Sequence, residues 1–439
     1  MSLEALTLSP ATHAQGTVQL PGSKSISNRA LLLAAITSGT TTLTGVLDSD
    51  DTRVMLESLH KMGVSAQKVA ETTYRIQGGV PFSPSRADLF LGNAGTAVRS
   101  LTAALALMGG EFTLSGIPRM HERPIGDLVD ALRAAGAQID YLGNDGYPPL
   151  RIRSPQLNIS QPIRVKGSVS SQFLTALLMA APIATQQCQQ DLVIEVEGTL
   201  ISQPYIAITL DMMARFGVQV EHDANWQRFV VSKSARYQSP ETLHVEGDAS
   251  SASYFLALGT IAGGPIRIEG VGALSVQGDV QFANVMQQMG AEVQFEPNAM
   301  VVRGKKVAAG EKLRAFDMDF NLIPDAAMTA AAIAIYADGP CTLRNIASWR
   351  VKETDRIDAM QNELRQIGAQ VESGPDWLRV YPIAPEQWRS ARIHTYDDHR
   401  MAMCLSLAVF GGVPQTILDP NCVSKTFPHY FSVFNELVQ

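Results

Sequence analysis

The side chains of this chain that could do chemistry stand in short polar runs, most of them just ahead of an apolar or amphipathic stretch. The first is residues 21–36, PGSKSISNRALLLAAI, where Ser23, Lys24, Ser25, Ser27 and Arg29 precede a run that is apolar from Ala30. A helix start offers unpaired backbone N–H groups and the positive end of a dipole. Lysine, arginine and hydroxyls added there make a seat for an anion such as phosphate or carboxylate. The same letters also fit a capped core helix with two solvated cations, and both readings stay open on this stretch alone. Gly22 is followed by Ser23, so the GxxxxGK[ST] loop of nucleotide phosphoryl transfer is absent.

Further runs follow the same plan. Residues 92–99, GNAGTAVR, supply Asn93, Gly95, Thr96 and Arg99, with glycines that admit a ligand close to the backbone. Residues 118–127 carry Arg119, His121, Glu122 and Arg123 before a helix opened by Pro124. Residues 167–172, GSVSSQ, give the neutral donors Ser168, Ser170, Ser171 and Gln172. Asp325 follows Pro324 at the head of an Ala-rich run; it fits an N-cap, or a base if it faces a cleft. Residues 349–356, WRVKETDR, place Lys352 and Arg356 four apart on one helix face, with Glu353 between them. Residues 396–400, YDDHR, lead an apolar run, and Lys425 sits in SKTFP. Each run taken singly fits a turn, a cap or a solvated charge cluster. Together, the cations Lys24, Arg123, Arg356, Arg400 and Lys425 would neutralise an anionic substrate pair. The isolated carboxylates Asp325 and Glu353 among them suit proton transfer. HExxH, GxSxG and repeated His/Cys spacing are absent, so no metal site and no α/β-hydrolase is expected.

The elements that must position these residues repeat. A polar turn enters an apolar, Ala-rich helix at Gly22, Gly92, Gly167, Gly247, Ile323 and Tyr396, starts that are 70 to 80 residues apart. Each unit has a second, amphipathic helix, and five of the six end in Gly before a strand-like run. The first helix should be buried and the second should cover a surface. The expected unit is strand–helix–strand–helix–strands, in an α/β (α+β) fold. Six such units exceed one core, so three per domain is expected, with a boundary midway near residues 243–247. Two chain crossings, near residues 20–22 and 240–246, would make a hinge. Six helix starts gathered on a cleft would favour anions although the whole chain carries −7.

The bulk composition excludes several classes. At 46% hydrophobic and 18% charged residues the chain reads as globular and soluble. Its acidity argues against nucleic acid as a partner. The four cysteines form no CxxC pair, which favours a reducing compartment. The start has no signal-peptide pattern and no apolar run spans a membrane, so a cytoplasmic location is expected.

The motifs PGSKSISNRALLLAA, LGNAGTAVR, PRMHERPIGDLV, GSVSSQF, IPDAAMTAA, WRVKETDRI, YDDHRMAM and SKTFP resemble, in order, those of the bacterial 5-enolpyruvylshikimate-3-phosphate synthase family. The resemblance spans essentially the whole chain. It implies two similar domains of three βαβαββ units each, with buried parallel helices, closing on substrate. The implied domains are residues 22–243, and residues 1–21 with 244–439. The implied reaction transfers the enolpyruvyl group of phosphoenolpyruvate to the 5-hydroxyl of shikimate 3-phosphate through a tetrahedral intermediate, releasing phosphate, with no cofactor. Position by position, it assigns shikimate 3-phosphate to Lys24, Ser25, Arg29, Ser170, Ser171, Gln172, Ser202, Tyr205, Asp325, Ser348 and Lys352. It assigns phosphoenolpyruvate to Lys24, Asn93, Gly95, Thr96, Arg123, Gln172, Glu353, Arg356, His399, Arg400 and Lys425. Asp325 and Glu353, helped by Lys24, become the proton-transfer groups. It also implies a monomer inhibited by glyphosate, with no nucleic acid or membrane partner.

Two positions depart from the family's pattern. Ser348 stands where Asn is often found before Trp-Arg, and Ser100 stands where Pro commonly follows the Arg of the second motif. The rival reading is the sister transferase acting on UDP-N-acetylglucosamine, whose usual loop cysteine has no counterpart in residues 111–126.

Overall fold

A computed structural model describes residues 4–439. The chain forms two compact units, one of Gly22–Val245 and one of Met1–Pro21 with Glu246–Gln439.

In the Gly22–Val245 unit one pattern occurs three times. A leading strand pairs in parallel with the strand after the buried helix, and two antiparallel strands extend that sheet. In the second repeat Arg86–Phe90 pairs in parallel with Glu111–Ser115, and Leu150–Arg153 and Gln138–Tyr141 follow. In the third, Ile163–Lys166 and Leu192–Glu197 play the same parts. In the first repeat the leading strand is Thr242–His244, which returns from the end of the unit to lie parallel to Gly39–Thr44. That pairing carries His244 and Val245 into this unit, so the division falls after residue 245 and not after residue 243.

The second unit borrows from the chain's start in the same way. Ala14–Gln19 is the leading, parallel partner of Gly263–Glu269, and Ala5–Leu8 pairs antiparallel with Gln415–Leu418 in the last sheet. Among the described residues the sixth repeat shows no hairpin; its strand Gln415–Leu418 is followed by the helix Tyr430–Leu437. Among the described residues its sheet has three strands where the other five have four.

The two helix classes follow from their sequences. All 13 residues of Ala249–Ile261 are buried, and 12 of the 13 of Lys24–Ile36. The covering helix Asp50–Lys61 buries only Asp51, Thr52, Met55, Ser58 and Leu59, one face of it. Five covering helices stop in one way. Gly63, Gly136, Gly217, Gly290 and Gly368 take φ of +81 to +120°, a region a side chain disfavours. Each next residue's N–H reaches back five positions, as Val64 does to the Leu59 carbonyl and Ala369 to that of Leu364. This closure satisfies the orphan carbonyls and turns the chain into the hairpin. The fifth and sixth buried helices are short: Ala327–Ile333 and His399–Leu405 each pass into a 3₁₀ turn.

Candidate active site

In the Gly22–Val245 unit the starts of the three buried helices are tied to one another by polar side chains. Asn28 of the first donates to Thr96 Oγ1 of the second at 2.8 Å. Arg99 of the second donates to Gln172 Oε1 of the third and, at 3.1 Å, to the Pro124 carbonyl. Arg29 of the first crosses to the third repeat: its Nε donates to Thr209 Oγ1 at 3.0 Å and its Nη2 to the Tyr205 carbonyl at 3.2 Å. Nη1 turns back to the Ser25 carbonyl at 2.9 Å. Burial lowers the Arg29 guanidinium to about 10, against an opposing pull from Tyr205. It stays a cation at neutral pH, fixed in position before any ligand arrives.

Around this frame stand the other expected residues. Lys24 opens the first helix, capped by Ser23, and lies 3.8 Å from Asp51. Ser170 caps the third helix by accepting from the Gln172 N–H at 3.3 Å, and Ser171 is buried beside it. Ser202 holds a left-handed φ of +55° at the start of Gln203–Arg215, a conformation a serine adopts at a cost. Arg123 is 3% exposed and donates to the backbone and side-chain oxygens of Asn93 at 2.9 and 3.0 Å. Gly95 opens the second helix between two guanidiniums; a Cβ there would lie 2.7 Å from Arg123 and 2.8 Å from Arg99.

In the second unit the expected carboxylates and cations form one network. Asp325 Oδ1 meets Arg356 at 3.0 Å and Lys352 at 3.3 Å, and its Oδ2 meets Arg400 at 3.0 Å. Glu353 accepts from Arg356 at 3.0 Å and lies 3.7 Å from Lys425. Burial pushes the Asp325 carboxyl up, but Arg400, Lys352 and Arg356 together outweigh it and hold the group well below the ordinary carboxylate range. Arg356, desolvated yet facing Asp398, Glu353 and Asp325, is held above its usual value. His399 is fully buried, its Nδ1 3.6 Å from Asp398. Ser348 lies half-buried in the 3₁₀ turn Ala347–Val351 that leads to Lys352. Among the described residues no group of His, Cys, Asp or Glu could hold a metal ion.

Several contributors were not singled out as binding residues by their letters. Asp398 grips Arg356 through Nε at 2.8 Å and also accepts from the Arg400 backbone N–H at 2.9 Å. Tyr254, of the fourth repeat, accepts from Arg400 at 3.2 Å. Asp279 accepts from Ser250 in the same repeat. Thr175 and Thr209 pair at 3.0 Å beneath Arg29. The usable signal was a polar residue inside an otherwise apolar helix, as Thr175 is within FLTALLMAA. The fourth start, GDASSAS, carried it too.

Comparison with known proteins agrees with this chemistry. The sequence profile of the EPSP synthase (3-phosphoshikimate 1-carboxyvinyltransferase) family matches residues 8–434. A 3-phosphoshikimate 1-carboxyvinyltransferase of Bordetella bronchiseptica is 62% identical over 436 residues, 99% of this chain and 98% of that protein. Among solved structures, the EPSP synthase of Acinetobacter baumannii superposes with a TM-score of 0.78 at 25% identity, covering 99% of this chain and 98% of its own. The enolpyruvyl transferase NikO of Streptomyces tendae reaches the same TM-score at 17% identity, covering 100% and 98%, which is likeness of fold alone.

Proposed function

Because the chain belongs to the EPSP synthase family, we propose that the two polar networks divide that family's reaction between them. The protein transfers the enolpyruvyl group of phosphoenolpyruvate to the 5-hydroxyl of shikimate 3-phosphate and releases phosphate. The relatives named for this reaction favour it over transfer to UDP-N-acetylglucosamine.

In our reading Arg29, Ser25, Ser170, Ser171, Gln172, Ser202 and Tyr205 hold shikimate 3-phosphate, joined by Lys352 and Ser348. Lys24, Asn93, Gly95, Thr96, Arg123 and Gln172 hold phosphoenolpyruvate, with Arg356, His399, Arg400 and Lys425. The observation that carries the chemistry is Asp325: one carboxylate faced by three cations. Those cations keep it ionised, hence able to accept the 5-hydroxyl proton as that oxygen attacks C2. They also weaken it as a base. Two anionic substrates arriving beside Lys352, Arg356 and Arg400 share that positive charge and so raise its affinity for the proton, nearer the range where a general base works best. Glu353, with Lys24, delivers a proton to C3, giving a tetrahedral ketal phosphate. The reverse transfer at C3 then expels phosphate, and fixed cations stabilise the charge that develops.

The same reading places glyphosate in the phosphoenolpyruvate pocket beside Gly95 and makes the enzyme a cytoplasmic monomer that turns at two hinge crossings. No helix among the described residues is long and apolar enough to cross a membrane. The deciding experiment is Asp325→Ala, followed by phosphate release. Turnover should fall about 10²- to 10⁴-fold while both substrates still bind, and near-normal turnover would remove Asp325 from the role. Wild type given UDP-N-acetylglucosamine in place of shikimate 3-phosphate should release no phosphate.

A further inference from the structure

The covering helix Arg356–Ile367 buries Ile357, Met360, Leu364 and Ile367, and among them Glu363, which is wholly enclosed. A carboxylate on an apolar face needs donors to stay there. Glu363 has three. Oε1 accepts from the Tyr396 hydroxyl at 2.7 Å; Oε2 accepts from the His394 backbone N–H and from Gln366 Nε2, both at 3.0 Å. A leucine would fill this position without such demands, so the acid points to a task.

The segment it grips is unusual. Tyr396 and Asp397 take φ of +56° and +55°, two consecutive non-glycine residues in the left-handed region. Aspartate visits that region with some ease, a tyrosine seldom. Directly after them comes Asp398, which caps His399–Leu405 and bonds both the Arg356 side chain and the Arg400 backbone. Arg356 and Glu363 are seven apart, two turns along one helix face. That face therefore holds the 394–398 segment at two points, Arg356 on Asp398 and Glu363 on His394 and Tyr396.

We propose that Glu363 is a positioning residue for the reaction: by holding the left-handed Tyr396–Asp397 turn it fixes Asp398, and through it the guanidinium of Arg356 and the backbone from which the Arg400 side chain extends. This rests on the reading that Arg356 and Arg400 hold phosphoenolpyruvate. The test is steady-state phosphate release by the full chain, with each substrate varied in turn. Tyr396→Phe removes only the hydroxyl; loss of that bond should raise the KM for phosphoenolpyruvate about tenfold and leave that for shikimate 3-phosphate within about twofold. Glu363→Gln should move the same constant in the same direction. Tyr396→Asn and Tyr396→Ala both lack the bond, yet asparagine tolerates the left-handed turn better. Asn should therefore retain a lower KM for phosphoenolpyruvate than Ala, a difference that loss of packing would not produce. Wild-type constants in Tyr396→Phe overturn the proposal, as do equal values for Asn and Ala or parallel rises in both KM values. If Tyr396→Ala does not fold, Tyr396→Phe decides alone. Arg400→Lys separates the premises: if it raises the KM for phosphoenolpyruvate and Tyr396→Phe does not, this inference fails and the site reading stands. If Arg400→Lys leaves that KM unchanged, the site reading fails.

Discussion

A methyl group added at Gly95 would separate binding of the two substrates. The Cβ of Gly95→Ala would sit 2.7 Å from Arg123 Nη2, 2.8 Å from Arg99 Nη1 and 3.1 Å from Arg123 Cζ. Non-bonded carbon contacts settle at about 3.5–4 Å, so both guanidiniums must retreat by a large fraction of an ångström. Arg123 cannot do so and keep its bonds to Asn93 at 2.9 and 3.0 Å. Hydrogen bonds to charged groups contribute about 1.5–3 kcal/mol, and misplacing Arg123 by this much forfeits roughly one of them. The KM for phosphoenolpyruvate should therefore rise about 10- to 100-fold. The backbone raises no objection: position 95 opens a helix, where alanine is favoured over glycine by up to about 1 kcal/mol. The melting temperature should stay near wild type. The Arg29 frame makes its own bonds to Thr209, Tyr205 and Ser25, so the KM for shikimate 3-phosphate should hold within about twofold. Phosphate release with each substrate varied at saturation of the other, alongside a thermal melt, measures all three. An unchanged KM for phosphoenolpyruvate, or equal rises in both, would refute the geometry.

Arg29→Lys tests the complementary half: an ammonium cannot reproduce the fork to Thr209, Tyr205 and Ser25, so the KM for shikimate 3-phosphate should rise about 10-fold or more while that for phosphoenolpyruvate moves little. Equal effects on both constants would count against it. Asp279→Asn is a prediction about pH. Burial first, then the charge of Asp325, push the Asp279 carboxyl up to about 6 from an ordinary 3.8. The folded state keeps that proton to higher pH than the unfolded chain, so stability falls as pH rises from about 4 to about 6, by up to about 3 kcal/mol. Asparagine can still accept from Ser250, so the variant should melt a few degrees above wild type at pH 8 and level with it near pH 4; the same offset at both pH values would refute this. Ser100→Pro replaces the residue whose hydroxyl donates to the Thr96 carbonyl in the second buried helix, and glyphosate should inhibit that variant more tightly; equal titrations would sink the idea.

Much of the architecture was legible because each repeat carries its own punctuation. The five glycines that end covering helices forecast five closures of one geometry, and the all-apolar helices forecast burial, since both are local consequences of side-chain type. What stayed hidden was non-local. Nothing in TLH at residues 242–244 says that it lies parallel to Gly39–Thr44, two hundred residues earlier, and nothing in ALTL at residues 5–8 says that it completes the last sheet. The candidate site divides along the same line. Asp325 and Arg400 could be named because charge at the head of an apolar helix is conspicuous, and Glu353 and Arg356 because they crowd one charged run at the start of an amphipathic helix. The residues that hold the charged groups in place are ordinary letters: Tyr254, in a hydrophobic run, beside Arg400; Thr175 and Thr209, on two helices, beside Arg29; Glu363 on an amphipathic face. Their roles depend on which repeat lies beside which.

The stacking of repeats explains why the holders were needed. Three helix starts brought together gather three positive dipole ends, and Lys24, Arg29, Arg99 and Arg123 add further positive charge in one unit. Such groups repel one another unless each is tied down. In that unit Arg29, Arg99 and Arg123 are tied by neutral acceptors, the carbonyls of Ser25, Tyr205, Pro124 and Asn93 and the hydroxyls of Thr175 and Thr209, while Lys24 lies 3.8 Å from the Asp51 carboxylate. In the other unit the ties are carboxylates: Asp325, Glu353 and Asp398. Neutral ties leave the cations' charge available to bind anions. Carboxylate ties compensate it and supply groups that can carry a proton. Two units built on one repeat plan thus differ in what faces their arginines: neutral oxygens in one, carboxylates in the other.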